Sequence, residues 1–292
     1  MTQGSIVALV TPMFASGEID WESLEALVEW HVSSGTVGIV PVGTTGESPT
    51  VSPQENCEII RFVVEKTKSR MTVIAGTGAN STAEAIEFTA SAKESGADAC
   101  LLVTPYYNKP TQEGLVAHYS AIAEAVDLPQ VLYNVPGRTA CDLLPETVAR
   151  LAVLPQVVAI KEATGSLERA REIRQLCGEA VAIYSGDDET SCDLMLEGAQ
   201  GTISVTANVA PETMAQMADA AVMGDAELAR SLDATLSGLH QTLFLESNPI
   251  PVKWALSYLD RIPPGIRLPL TGLSQQHHDE VIAAMQQAGV LT

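Results

Sequence analysis

The stretch Val157-Val158-Ala159-Ile160-Lys161-Glu162-Ala163-Thr164 decides how the rest of the chain is read. Its β-branched residues, preceded by Pro155 and followed by Gly165, predict a short strand buried on both faces, as in a parallel sheet covered by helices. Lys161 stands at the exit of that strand. An ammonium there either finds a carboxylate or gives up its proton, because burial disfavours the charged form. Losing the proton makes it a nucleophile: a drop of roughly three units from a pKa near 10.4 raises the neutral fraction at pH 7 about a thousandfold. Otherwise it pairs with Glu162 or another acid at the strand end, and the octapeptide taken alone favours that pairing.

The chain has 292 residues, enough for one large α/β barrel or two ordinary domains, and its hydrophobic fraction of 46% provides for a large core. No apolar run approaches the length of a membrane span. The first Lys or Arg is Arg61, and Pro12 cuts short the apolar run at 6–10; neither a signal peptide nor an anchor is expected, and the chain reads as cytoplasmic. Cys57, Cys100, Cys141, Cys177 and Cys192 are scattered, with no Cys-x-x-Cys pair and no histidine at ligand spacing, which predicts reduced thiols and no structural metal. A formal net charge of −20 argues against nucleic acid or an anionic membrane as partner. An anionic substrate must then be captured by local groups against an unfavourable long-range field.

Short apolar runs recur at 6–10, 37–42, 71–75, 99–104, 130–134, 157–161, 181–185 and 202–205, with helical patterns between them. Their starts lie roughly 20 to 35 residues apart, the length of one strand, one crossover helix and two loops. Asp20 can cap a helix over 21–34 that Gly35 stops. Ser52-Pro53-Gln54-Glu55 joins a capping box to a proline at the first helical position, and Ser81-Thr82-Ala83-Glu84 is another box. These alternating units, with no break in composition, predict a closed (β/α)8 TIM barrel over residues 1–224. A C-terminal helical region over 225–292 follows, with helices at 225–245, 251–259 and 274–288. An open doubly wound sheet is the alternative, but no Gly-x-Gly-x-x-Gly follows the first strand.

In a barrel the carboxyl ends of the strands share one mouth. After the second strand, Gly43-Thr44-Thr45-Gly46-Glu47 sets two hydroxyls between glycines, a small nest for a carboxylate or an ordinary Gly-rich turn. Tyr106, Tyr107 and Tyr133 end neighbouring strands, as core residues or as a hydroxyl chain able to move protons. Arg138, on a loop stiffened by Pro136, offers a planar fork for a second carboxylate, or makes a surface ion pair. Ser185-Gly186-Asp187-Asp188-Glu189 ends the seventh strand, and Asp188 is expected to cap the helix that follows.

Taken together, Gly43-Thr44-Thr45-Gly46-Glu47, Tyr133-Asn134-Val135-Pro136-Gly137-Arg138 and Ile160-Lys161-Glu162-Ala163-Thr164 make the chain resemble the dihydrodipicolinate synthase family of pyruvate-dependent class I aldolases and lyases. The resemblance runs from Gly4 through Pro12 to the tail, with the motifs in family order. It implies that Lys161 forms a Schiff base with pyruvate, that Tyr133 gives and takes protons, and that Thr44 links Tyr133 to a Tyr107 lent by a neighbouring subunit. It also implies that Thr45 holds the pyruvate carboxylate, that Arg138 receives the carboxylate of aspartate semialdehyde, and that Gly186 and Asp187 meet its amino end, with Ile203 among the substrate-binding residues. A homotetramer built as a dimer of dimers follows, working in lysine and diaminopimelate biosynthesis with neither cofactor nor metal. N-acetylneuraminate lyase and keto-sugar-acid aldolases share the lysine and tyrosine, but are less similar around Arg138. The family further implies inhibition by lysine at a cleft carrying Ser48, Asn80, Glu84 and Tyr106; Pro53 and Asn56 depart from the lysine-sensitive pattern, so weak or absent inhibition is expected. Two rivals of other kinds are a metal-dependent aldolase using Glu47, Asp187 and Glu189, and a barrel that binds a keto acid without catalysis.

Overall fold

The computed structural model describes residues 2–291. Its strands are β1 (Gly4–Ala8), β2 (Gly38–Val40), β3 (Thr72–Gly76), β4 (Ala99–Val103), β5 (Gln130–Asn134), β6 (Val157–Glu162), β7 (Ala182–Ser185) and β8 (Gly201–Ser204). They pair in parallel, in sequence order, and β8 closes on β1. The helices between them are α1 (Trp21–Ser33), α2 (Pro53–Thr67), α3 (Thr82–Glu94), α4 (Gln112–Ala125), the short α5 (Pro136–Thr139) and α6 (Pro145–Leu151), α7 (Leu167–Cys177) and α8 (Asp188–Leu196). After β8 come α9 (Pro211–Val222), α10 (Ala226–Thr242), α11 (Ile250–Tyr258) and α12 (His278–Gln287). This is the (β/α)8 barrel that the repeated apolar runs predict. The second strand is shorter than its run because Pro41 follows it and Val42 turns to a φ of 54°.

Residue alternation along the strands sorts side chains to two cores. Ile6, Val40, Ile74, Leu101, Val131, Tyr133, Ala159 and Ile203 fill the barrel, whereas Ile39, Val73, Leu102, Leu132 and Ile160 face the helices. Each fully buried aliphatic side chain contributes about 1.5–3 kcal/mol. On β6 the same alternation turns Lys161 inward with Ala159, and sends Glu162 outward with Ile160. Register sets Lys161 beside Tyr133 of β5.

Local signals act where they are written. Asp20 caps α1, and Ser52 and Glu55 form a reciprocal box at the start of α2, with Pro53 at its first position. One expectation is corrected: Asp187, not Asp188, caps α8, its side chain accepting from the Thr190 amide. Asp188 instead reaches across to the next strand exit, where its Oδ2 accepts from the amides of Val205 and Thr206 at 3.0 and 2.9 Å. α10 packs on α8 and α9, and α12 packs on α10 and α11. Among the described residues no helix is long and apolar enough to cross a membrane.

Candidate active site

Lys161 is 5% exposed at the inner end of β6. The pairing with Glu162 does not form, because that carboxylate lies on the other face of the strand, accepting from Asn134 Nδ2 at 3.0 Å and the Thr164 amide at 2.8 Å. Among the described residues Lys161 makes no ion pair. Burial therefore pushes its pKa down to about 8, with the Asp188 charge opposing the shift and the Arg138 charge assisting it. Roughly one amine in ten is then neutral at pH 7, against about one in 2,500 for a free lysine.

The amine lies 4.5 Å from the centre of the Tyr133 ring. Burial holds the Tyr133 phenol above its ordinary range, against the opposing pull of the Arg138 charge and the Thr44 hydroxyl. It stays protonated at neutral pH, beside an amine that does not hold its proton firmly. Gly186 lets the next strand exit approach this pair: a Cβ there would sit 2.8 Å from Lys161 Cε and 2.7 Å from Ala163 Cβ. Ile203, 1% exposed, belongs to the same inner face.

The Gly43–Glu47 loop folds on itself, the amides of Gly46 and Ser48 donating to Gly43 O and that of Glu47 to Thr44 O. Thr45 is 2% exposed and its hydroxyl accepts from Asn248 Nδ2 at 2.9 Å. Glu47, also buried, pairs with Lys253 of α11 and accepts the Arg267 amide at 3.0 Å, so its carboxylate is already engaged. Arg138, exposed on α5, donates from Nη2 to the carbonyl of Asn248 at 3.3 Å. The mouth thus brings together Lys161, Tyr133, Thr44, Gly186 and Ile203, while Thr45 and Arg138 meet through Asn248. Asp187 is half-buried and occupied as a helix cap.

Tyr107 is not part of this group. It is 89% exposed, with a left-handed φ of 73°. Its neighbour Tyr106 lines a separate cavity of about 360 Å³ with Ser48, Pro53, Asn56 and Glu84, and the Tyr106 carbonyl accepts from Asn80 Nδ2 at 3.2 Å.

Sequence reasoning missed Asn248 and Lys253, which lie about 200 residues from their partners in the loop. The run Asn248-Pro249-Ile250-Pro251 marks a stiff entry to a helix but carries no sign of what it touches. It also missed the outward support of the β5 and β6 ends. There Asn134 joins Glu162 to Asp142, and Arg169 clamps Asp142 with two bonds of 2.8 and 3.0 Å.

Fold and site define a (β/α)8-barrel protein with a buried, unpaired amine at the strand ends. The chain belongs to the dihydrodipicolinate synthetase family, whose model matches residues 1–288. It is 61% identical over 291 residues to the 4-hydroxy-tetrahydrodipicolinate synthase of Alcanivorax borkumensis, covering all of this chain and 99% of that one. The synthase of Methylococcus capsulatus is likewise 61% identical, with both chains fully covered. Among solved structures, the chloride-inhibited dihydrodipicolinate synthase from Acinetobacter baumannii complexed with pyruvate superposes over the whole of both chains, with a TM-score of 0.98 at 54% identity.

Proposed function

We propose that the chain is a lyase, a 4-hydroxy-tetrahydrodipicolinate synthase, that condenses pyruvate with L-aspartate 4-semialdehyde through a Schiff base in lysine and diaminopimelate biosynthesis. The observation that carries this reading is Lys161: buried, without a carboxylate partner, its pKa down to about 8, and set against the ring of a protonated tyrosine.

The neutral amine adds to the keto carbon of pyruvate, and loss of water leaves an iminium on Lys161. That cation draws electrons from the methyl group, which gives up a proton and becomes an enamine. Tyr133, with Thr44 beside it, supplies and accepts the protons of these steps. The enamine carbon attacks the aldehyde. The amine of the semialdehyde then adds to the iminium carbon, closes the ring and expels Lys161 as the free amine. Thr45 holds the carboxylate of pyruvate, Arg138 that of the semialdehyde, and Gly186, Asp187 and Ile203 line the remainder of the site.

The high exposure of Tyr107 supports its working in a neighbouring subunit, within a homotetramer assembled as a dimer of dimers. A cytoplasmic place suits a reduced, strongly acidic chain. The cavity shared by Ser48, Glu84 and Tyr106, with Asn80 behind it, is proposed as a lysine site that binds weakly, since Pro53 and Asn56 bring no cation or imidazole to it.

The test is a direct assay with both substrates after exhaustive chelation. Formation of the heterocyclic product by the native chain, and none by Lys161→Ala, supports the reading. Turnover of a sugar-acid substrate in place of the semialdehyde, or loss of activity on chelation, overturns it.

A further inference from the structure

We propose that Asn248 is a positioning residue that fixes the hydrogen-bond polarity of Thr45, and so makes that hydroxyl a donor to the substrate carboxylate; this rests on the function proposed above. Asn248 is 6% exposed and stands at the entry to α11, on the far side of the sequence from the Gly43–Glu47 loop. Its Nδ2 donates to Thr45 Oγ1 at 2.9 Å, and its carbonyl takes the Arg138 guanidinium at 3.3 Å. Five residues on, Lys253 pairs with Glu47 at the other end of the same loop. One stretch of chain therefore grips the loop at two points and touches both residues assigned to carboxylates.

A threonine hydroxyl has one proton to give and two lone pairs to offer. When Oγ1 accepts from Asn248, its own proton is left for a guest, and a carboxylate is the guest that needs it. Turned the other way, the carboxamide oxygen would take that proton and the lone pairs of Thr45 would face the anion. The observed orientation leaves Asn248 Oδ1 buried without a partner among the described residues.

The experiment compares Asn248→Ala and Asn248→Asp with the native chain, alone and in a Thr45→Val background. Thermal melting is run in parallel, and the rate of borohydride trapping is measured against pyruvate concentration. Asn248→Ala frees the hydroxyl to rotate and is expected to raise KM for pyruvate about tenfold, the loss of one oriented hydrogen bond. Asn248→Asp takes the proton and adds a negative charge, and is expected to raise it roughly a hundredfold or more. KM for the semialdehyde should move less than about threefold, because the backbone carbonyl facing Arg138 persists in both variants. In the Thr45→Val background, Asn248→Ala should change pyruvate affinity by less than about twofold, since the side chain acts through a group already removed. Equal rises in both KM values, or full additivity with Thr45→Val, overturn the proposal, as does an Asp variant no worse than Ala. If Asn248→Ala does not fold, Asn248→Ser carries the comparison with the same expected split. Native chain that pyruvate does not trap refutes the function itself, whereas normal trapping by native chain and variants alike refutes only the role of Asn248.

Discussion

Lys161 gives the site a pH signature. With a pKa near 8, the reactive amine fraction rises about tenfold from pH 7 to pH 9 and then levels, whereas an unshifted lysine would gain about a hundredfold and still be climbing. The pH profile of kcat/KM for pyruvate should therefore bend near 8. Stability follows with the opposite burden. Because the folded pKa lies below the unfolded value, the folded state carries a buried charge below pH 8, and the penalty fades as pH rises from 8 towards 10.5. Lys161→Met should raise the melting temperature at pH 7 by a few degrees, from a penalty of up to about 3 kcal/mol, and by little at pH 10.5. Tyr133→Phe removes the acid–base group and should lower kcat by about 10² to 10⁴, measured at saturating substrate; a tenfold loss or less would remove Tyr133 from proton transfer.

At the scale of elements, the buried Lys253–Glu47 pair ties α11 to the loop after β2. Lys253→Met would leave the Glu47 carboxylate uncompensated, and should destabilise the chain by about 3–5 kcal/mol in urea unfolding. It should also weaken pyruvate binding, because the Thr45 loop loses one of its two holds. The barrel was legible because each strand is a short apolar run between helix signals whose chemistry is local: the Asp20 cap and the Ser52–Glu55 box appear where their residues stand. The strand-end residues Lys161, Tyr133 and Thr44 could likewise be gathered, once a barrel fixed which ends share a mouth. Lys253 and Asn248 could not, since their contacts cross about 200 positions and depend on how the tail folds back. The Asp187–Asp188 exchange has a similar cause. Both acids suit a cap, and only the position of β8 shows that Asp188 has other donors to meet.

At the scale of the whole molecule, Tyr107 is 89% exposed and lies outside the group around Lys161, and its place in a neighbouring subunit is the part of the proposal to test. If Tyr107 serves the neighbouring subunit, Tyr107→Phe and Lys161→Ala are each impaired as pure species, yet mixing them under exchange conditions should restore activity. In a mixed assembly one site joins an intact Lys161 to an intact Tyr107. No recovery in mixed oligomers, verified by mass, would confine Tyr107 to its own chain.

The covalent step itself is tested most directly by mass spectrometry of the intact and digested chain after borohydride reduction in the presence of pyruvate. One reduced pyruvate attached to each chain, on the peptide containing Lys161 and absent from Lys161→Ala, is the expected result. An unmodified chain, or an adduct on any other lysine, would contradict it.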